Sequence, residues 1–219
     1  SSDLERKRVI WIGGGSTAGK TSLGAAVRAG VPGAAVLDVD KKFVMPLWRR
    51  PAIQRRYGTV VHLFGHLFGH SRRPYDKTVE EFCRGVAGAI DRELSSPRVR
   101  ILLVDGSLLP HRREHISDMC QGGYAFETWL LHPVDRKSAD LRRAERIVSR
   151  ARRGIQPTMP GTQETLSIGA ASVARLRPQD LPLHFPAQFS AAYDRTLQLR
   201  GEEARRIRAG CVPGRVFEV

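Results

Sequence analysis

The sequence predicts an α/β fold, a three-layer domain with a parallel sheet of about five strands and helices on both faces. Three observations carry that expectation. Apolar runs of strand length alternate with amphipathic segments of helix length from residue 8 to the C-terminus. The first run feeds straight into a glycine-rich turn and then a helix. Several of the runs end in an aspartate, as strands do when their C-terminal ends line a ligand crevice. The chain of 219 residues is long enough for one sizeable domain with a full core. No repeat or linker divides it, so residues 1–219 read as a single domain.

Arg8-Val9-Ile10-Trp11-Ile12 is a buried first strand, and Ser22 to Arg28 a helix, with Gly30 as its C-cap and Pro32-Gly33 as a turn. Ala34 to Asp40 follows as a second strand ending in two carboxylates, Asp38 and Asp40. Residues 41–76 resist assignment and read as an insert that holds the acceptor or as a surface loop. They contain Trp48-Arg49-Arg50, Arg55-Arg56-Tyr57 and the echo His62-Leu63-Phe64-Gly65-His66-Leu67-Phe68-Gly69-His70. Three histidines at that spacing would share a helical face, but Gly65 and Gly69 weaken the helix and no carboxylate or cysteine joins the pattern.

Thr78 to Leu94 is an amphipathic helix, with Thr78 as cap, Glu81 completing a capping box, and Val79, Phe82, Val86, Ile90 and Leu94 on one face. Val99 to Gly106 is the third strand, apolar almost throughout, ending in Asp105. A helix over Arg112–Met119, a fourth strand over Tyr124–His132 and a helix from Pro133-Val134-Asp135 to Arg150 come next. That last helix is dense with arginine, and Gly154 and Pro157 to Gly161 break it. Helices over Gln163–Ala174 and about Ala187–Arg208, and a strand over Arg215–Val219, complete the chain.

The net charge of +14 attracts polyanions, with nucleotide phosphates and nucleic acid both eligible. Nucleic acid is not the expected partner, because no recognition helix, RNP signature or zinc-finger spacing is present. There is no run of 18 apolar residues, so no membrane span is expected. Cys83, Cys120 and Cys211 are odd in number and scattered, which fits a reducing, cytoplasmic setting and ordinary apolar packing. The chain begins with serine and a polar stretch, which points to a start trimmed from a longer native one and gives no secretory core. Nothing in the sequence speaks to oligomeric state.

The turn after the first strand reads Gly14-Gly15-Ser16-Thr17-Ala18-Gly19-Lys20-Thr21, a glycine, four residues, then Gly-Lys-Thr. Glycines let several backbone N–H groups converge on one phosphate, and the following helix aims its positive end at the same place. Gly14 to Thr21 and Ser22 are therefore the expected nucleotide-binding residues. Lys20 would reach the β- and γ-phosphates, and the Thr21 hydroxyl would ligate Mg²⁺. The nucleotide is ATP, with GTP the alternative.

Phosphoryl transfer to a small-molecule hydroxyl needs, besides, a proton acceptor and positive charge around the moving group. Asp40 is the expected base, against a turn or cap role, and Asp38 a metal-shell, acceptor-side or structural carboxylate. Asp105 would serve the metal shell or the acceptor, or cap the next helix. Trp48 and Arg49 are the insert residues expected to touch the acceptor. Residues 136–161 read as an arginine-rich lid, against the reading as a solvated face. Arg143 and Arg153 are assigned to transition-state charge and Arg146 and Arg150 to the nucleotide.

The order of parts over roughly residues 8–155 resembles the P-loop small-molecule kinases. The loop Gly14-Gly15-Ser16-Thr17-Ala18-Gly19-Lys20, with Val39-Asp40 and Met45-Pro46, is similar to chloramphenicol phosphotransferase, and that resemblance implies Asp40 as base. Asp38-Val39-Asp40 and Asp105-Gly106-Ser107 are similar to zeta toxins, which phosphorylate UDP-N-acetylglucosamine and again imply Asp40. Leu102 to Leu109 looks like the corresponding strand of nicotinamide riboside and uridine kinases, although an Asp-Asp-Phe typical of the riboside kinases is missing. Asp105 replaces the glutamate of two branches, the lid spacing is shorter than in zeta toxins, and residues 41–76 match none of them. The sequence thus points to an ATP-dependent kinase for an antibiotic or nucleoside-like hydroxyl. The rivals are a toxin acting on a nucleotide sugar and a nucleic-acid-stimulated ATPase or switch, for which Val104-Asp105 would be a Walker B end.

Overall fold

The computed structural model describes residues 6–219 apart from Ser16, Val134 and Gln163. Five strands form one parallel sheet in the order β2-β3-β1-β4-β5. They are β1 (Arg8–Gly14), β2 (Ala34–Asp38), β3 (Ile101–Asp105), β4 (Ala125–His132) and β5 (Gly214–Glu218). β1 pairs with β3 from Arg8↔Ile101 to Ile12↔Asp105, and β2 pairs with β3 from Ala34↔Ile101 to Asp38↔Asp105. This is an α/β sheet with the glycine-rich turn directly after β1.

The described residues fall into two compact units. One holds the chain up to Gly13, Lys20–Trp129 and Val212–Arg215, and the other Gly14–Gly19, Leu130–Cys211 and Val216–Val219.

In the first unit, side chains alternate across the sheet with the period of a strand. Val9, Trp11, Leu102 and Val104 join the larger core, while Ile10, Ile12 and Leu103 form a second cluster against Leu23 and Val27 of α1 (Lys20–Gly30). Helices therefore cover both faces. β2 stops at Asp38; Val39 turns into a helical path, and Asp40–Val44 form a π-helical turn that runs into α2 (Met45–Trp48). The expected strand to Asp40 is thus two residues too long. Asp38 ends it by accepting the Lys41 N–H at 3.0 Å, with its other oxygen 3.3 Å from Lys41 Nζ.

Residues 41–76 are mostly helical: α3 (Pro51–Tyr57) and α4 (Val60–Leu67) follow α2, and Leu47, Tyr57, Leu63 and Leu67 are buried in the larger core. Pro at the first turn of α2 and α3 suits the helix start, where its missing N–H costs nothing. The three histidines part company. His62 Nδ1 bonds the Tyr57 carbonyl at 3.0 Å, His66 Nε2 lies 3.1 Å from Asp76, and His70 Nε2 bonds the Ser107 carbonyl at 2.9 Å.

The long helix α5 (Lys77–Ser95) buries the expected face, with Val79, Phe82, Val86, Ile90 and Leu94 at 2% exposure or less. Each such side chain contributes about 1.5–3 kcal/mol relative to exposure. Its cap differs from expectation. Asp76, not Thr78, accepts the Thr78 and Val79 N–H groups, and Glu81 pairs outward with Arg50 at 2.7 Å. Aspartate is at least as good a cap as threonine, so the start moves upstream. α6 (Pro110–Met119) buries Arg112, Arg113 and Ile116.

In the second unit, α7 (Arg136–Ala151) is capped by Asp135, which accepts the Lys137 and Ser138 N–H groups. It ends at Gly154, whose φ of 75° and the bonds Gly154 N–H to Ala151 O and Ile155 N–H to Arg150 O make a Schellman close. The expected helix over Gln163–Ala174 reduces to α8 (Ala170–Val173). Gln163 lies outside the described residues. Instead Thr158 bridges Thr165 in antiparallel fashion, which β-branched residues favour, and Leu166 enters the core. α9 (Leu181–His184) and α10 (Pro186–Arg208) complete the unit, packing Phe189 and Ala192 against Ala144, Ile147, Val148 and Ala151 of α7.

Candidate functional site

The parallel register brings carboxylates to the ends of neighbouring strands. Asp38 stands opposite Asp105, and Asp105 stands opposite Ile12, at the level where β1 runs out toward the glycine turn. Lys20 and Thr21 open α1 directly after that turn, so the helix N-terminus begins at the loop lysine. Thr21 Oγ1 donates to Asp105 Oδ2 at 2.9 Å, which fixes the first turn of α1 to the end of β3. Asp105 is 8% exposed, and α6 begins at Leu109 with no side-chain cap. Of the alternatives for Asp105, helix capping is the one its geometry does not take.

A hydroxyl and a carboxylate oxygen in hydrogen-bond contact are hard oxygen donors, the set Mg²⁺ prefers. Thr21 and Asp105 therefore fit the ion that a P-loop fold employs.

Asp40 is half-buried in the first turn of the π-helical segment. It is not on the strand, so the alternation that would have aimed Asp38 and Asp40 to one face does not apply. Asp38 has the capping role, through Lys41. Val39 passes close to Gly106: a Cβ there would meet Val39 Cβ at 3.2 Å, so a side chain at 106 would press the residue before Asp40 away from the residue after Asp105 by a few tenths of an ångström.

Trp48 is half-buried and packs on the larger core, while Arg49 is exposed. They are neighbours in sequence with different surroundings. Ser22 is exposed on α1.

The glycine turn itself is built on the second unit. Gly14 has φ 139° and Gly19 φ 86°, backbone that side chains rarely adopt. A Cβ on Gly14 would lie 3.0 Å from the Leu131 carbonyl oxygen, and one on Gly15 would lie 3.1 Å from Thr196 Cγ2. Ala18 N–H donates to Gly15 O at 3.2 Å and closes the turn; Thr17 and Ala18 are half-buried. Ser16 lies outside the described residues.

The arginines of α7 do not share one environment. Arg143 is 4% exposed and donates from Nη1 to Asp140 Oδ1 at 3.1 Å, and from Nη2 to Thr196 Oγ1 at 3.1 Å and the Ala192 carbonyl at 3.3 Å. Burial pushes its pKa below the usual arginine value, against the pull of Asp140. An arginine on a mobile lid faces solvent; Arg143 is instead internal to the α7–α10 packing. Arg146 and Arg153 are exposed and Arg150 half-buried. The sequence carried a signal for this. Arg143 falls four residues after Ala139 and four before Ile147, inside the stripe that continues through Ala144, Val148 and Ala151. Thr196, the partner that sequence reasoning missed, has no such signal in mid-helix.

No family model and no curated protein sequence matches the chain. Among solved structures, it is similar to a chain from the PezAT chromosomal toxin–antitoxin system of Streptococcus pneumoniae, at 14% identity over 98% of this chain and 69% of that one, with TM-score 0.45. A gluconokinase from Sinorhizobium meliloti 1021 is similar at 14% identity over 94% and 98%, with TM-score 0.36. The APS kinase CysC of Mycobacterium tuberculosis, solved with AMPPNP and APS, is similar at 15% identity over 84% and 98%, with TM-score 0.38. At such scores the likeness carries no functional argument, and the chemistry has to be read from this chain's own residues.

Proposed function

We propose that the protein is an ATP-dependent phosphotransferase that moves the γ-phosphoryl group to a hydroxyl of a small molecule. The observation that supports this most is the 2.9 Å bond from Thr21 to Asp105 directly after the phosphate-loop lysine. It joins the loop hydroxyl to the strand-end carboxylate, the pair that flanks the metal in P-loop enzymes. Gly14 to Gly19 would present backbone N–H groups to the phosphates, and Lys20 would add a positive charge. Thr21 and Asp105 would hold Mg²⁺, which would supply neutralising charge to the phosphates. Asp40 takes the proton of the acceptor hydroxyl as its oxygen bonds the γ-phosphorus, and the bond from that phosphorus to the bridging oxygen breaks to release ADP. Arg146 and Arg150 of α7, with Arg153 just past its end, are the candidates for offsetting charge on the triphosphate.

A second reading, a kinase acting on an anionic acceptor such as a nucleotide sugar, has its own support. Residues 41–75 contain eight lysines and arginines and not one aspartate or glutamate. Arg49, Arg55 and Arg72 are exposed with no carboxylate partner among the described residues. Such a surface suits a charged acceptor better than a neutral antibiotic.

The experiment is a mass-spectrometric screen for phosphoryl addition with MgATP across antibiotics, nucleosides and nucleotide sugars. A phosphorylated hydroxyl product is expected, lost by about 10²–10⁴-fold in Asp40→Asn while ATP binding persists. If no hydroxyl compound gains phosphate and ATP turnover rises only with RNA or DNA, the kinase reading is wrong.

A further inference from the structure

The floor under the phosphate loop is a threonine whose orientation is fixed by a buried arginine. Gly15 lies so close to α10 that a Cβ would stand 3.1 Å from Thr196 Cγ2 and 3.7 Å from Thr196 Oγ1. Thr196 is 9% exposed. A helical threonine ordinarily divides between two side-chain rotamers. Here the hydroxyl is committed twice: Oγ1 donates to the Ala192 carbonyl at 2.9 Å and accepts from Arg143 Nη2 at 3.1 Å. With the oxygen held there, the methyl is the part of the side chain left to face Gly15. Arg143 is itself held by Asp140, whose second oxygen takes Arg136 Nε at 3.4 Å, and its guanidinium lies 5.9 Å from the Tyr193 ring centre.

We propose that Thr196 is the seat of the phosphate loop and that Arg143 fixes that seat, both as positioning residues that act on the nucleotide through Gly15. This rests on the reading that Gly14–Thr21 takes the phosphates of ATP. A cradle of backbone N–H groups works only if it is already in place when the phosphates arrive, because misplacement by an ångström is costly. Glycine backbone is the least ordered by itself, so the order has to come from what it rests on. An arginine that would otherwise be assigned to the transition state thus acts one residue removed from it, by choosing a rotamer.

The test is steric and uses the full chain, with MgATP affinity read by calorimetry and folding by thermal melting. Gly15→Ala leaves α7 and α10 untouched and presses a methyl on Thr196; it should weaken MgATP binding about tenfold. Thr196→Ser removes only the methyl that Gly15→Ala meets, so the double variant Gly15→Ala/Thr196→Ser should recover most of that loss. Arg143→Lys keeps a charge beside Asp140 but not the fork to Thr196, and should weaken MgATP binding about threefold to tenfold in the folded protein. Its effect should vanish in the Thr196→Ser background, where no methyl remains to be aimed. A purely structural role would lower the melting temperature and leave the affinity of the folded protein unchanged. Absence of recovery in the double variant, or an Arg143→Lys loss that persists beside Thr196→Ser, overturns the proposal. If the unsubstituted protein binds MgATP no better than Lys20→Ala, the nucleotide reading fails and this inference with it.

Discussion

The strand ends of the first unit and helix α7 of the second both concentrate charge, and they use it in opposite ways. At the ends of β2 and β3 the carboxylates sit where the register puts them. Asp38 and Asp105 stand side by side at the end of the sheet, one turned to a backbone N–H and the other to a hydroxyl. On α7 the same kind of residue meets contrasting fates within one helix, Arg143 going inside and Arg146 staying out, as Arg153 does just past the helix end. A strand end has a defined place as soon as the strand is recognised. A helix residue has a place only when the face that meets the neighbour is known, and here a charged residue lies on that face.

Four substitutions would break or sharpen that contrast. The largest effect is expected at the strand end: Asp105→Asn should cut MgATP turnover by about 10²–10³-fold, because the amide cannot supply a full negative charge to a metal, with a melting temperature close to that of the unsubstituted protein. Retained turnover would separate Asp105 from the chemistry and leave it as a tether for Thr21. The next effect belongs to α7. Arg143→Ala should destabilise by about 1–3 kcal/mol, since it removes a buried side chain and leaves Asp140 with Arg136 alone, whereas Arg153→Ala should stay within about 0.5 kcal/mol. Chemical unfolding of both variants measures the difference; equal values would erase the distinction between inward and outward arginines.

The smallest effect concerns the α7 cap. Bonds from the Ser138 hydroxyl and N–H hold the Asp135 carboxyl below its ordinary range. A lowered folded-state pKa means stability that is present above the unfolded value, near 3.9, and lost as pH falls through the folded one. Asp135→Asn, which still caps but does not titrate, should flatten that acid-side loss in melting curves taken between pH 5 and pH 2. An unchanged slope would show that the cap charge contributes nothing.

The same contrast explains what the sequence made legible. Strands β1, β3 and β4, helices α1, α5 and α7, and the position of the glycine turn followed from apolar period and turn chemistry. Asp105 was reachable because it ends an unbroken apolar run. The end of β2 was not, because Asp38 caps a helical turn by accepting from Lys41, and an Asp-x-Asp pattern does not say which aspartate does so. Residues 41–76 hid four helical segments behind short lengths and glycines, with burial supplied by a core that no local pattern reveals. The segment 163–174 failed for the converse reason: its composition permits a helix, and the packing of Leu166 and the Thr158–Thr165 bridge do not.

The close passage of Val39 over Gly106 amounts to a fixed gauge between Asp40 and Asp105. It is made by a valine and a glycine at the strand ends, before the helices of 41–76 begin. Replacing those helices would change what is presented to the proposed base without resetting the gauge. Lengthening Gly106 by a single methyl would reset it while leaving every acceptor-side residue in place. Under the proposed function, the residues that would carry the chemistry and those that would choose the acceptor lie on separate stretches of chain, one a few residues long and the other about thirty-five.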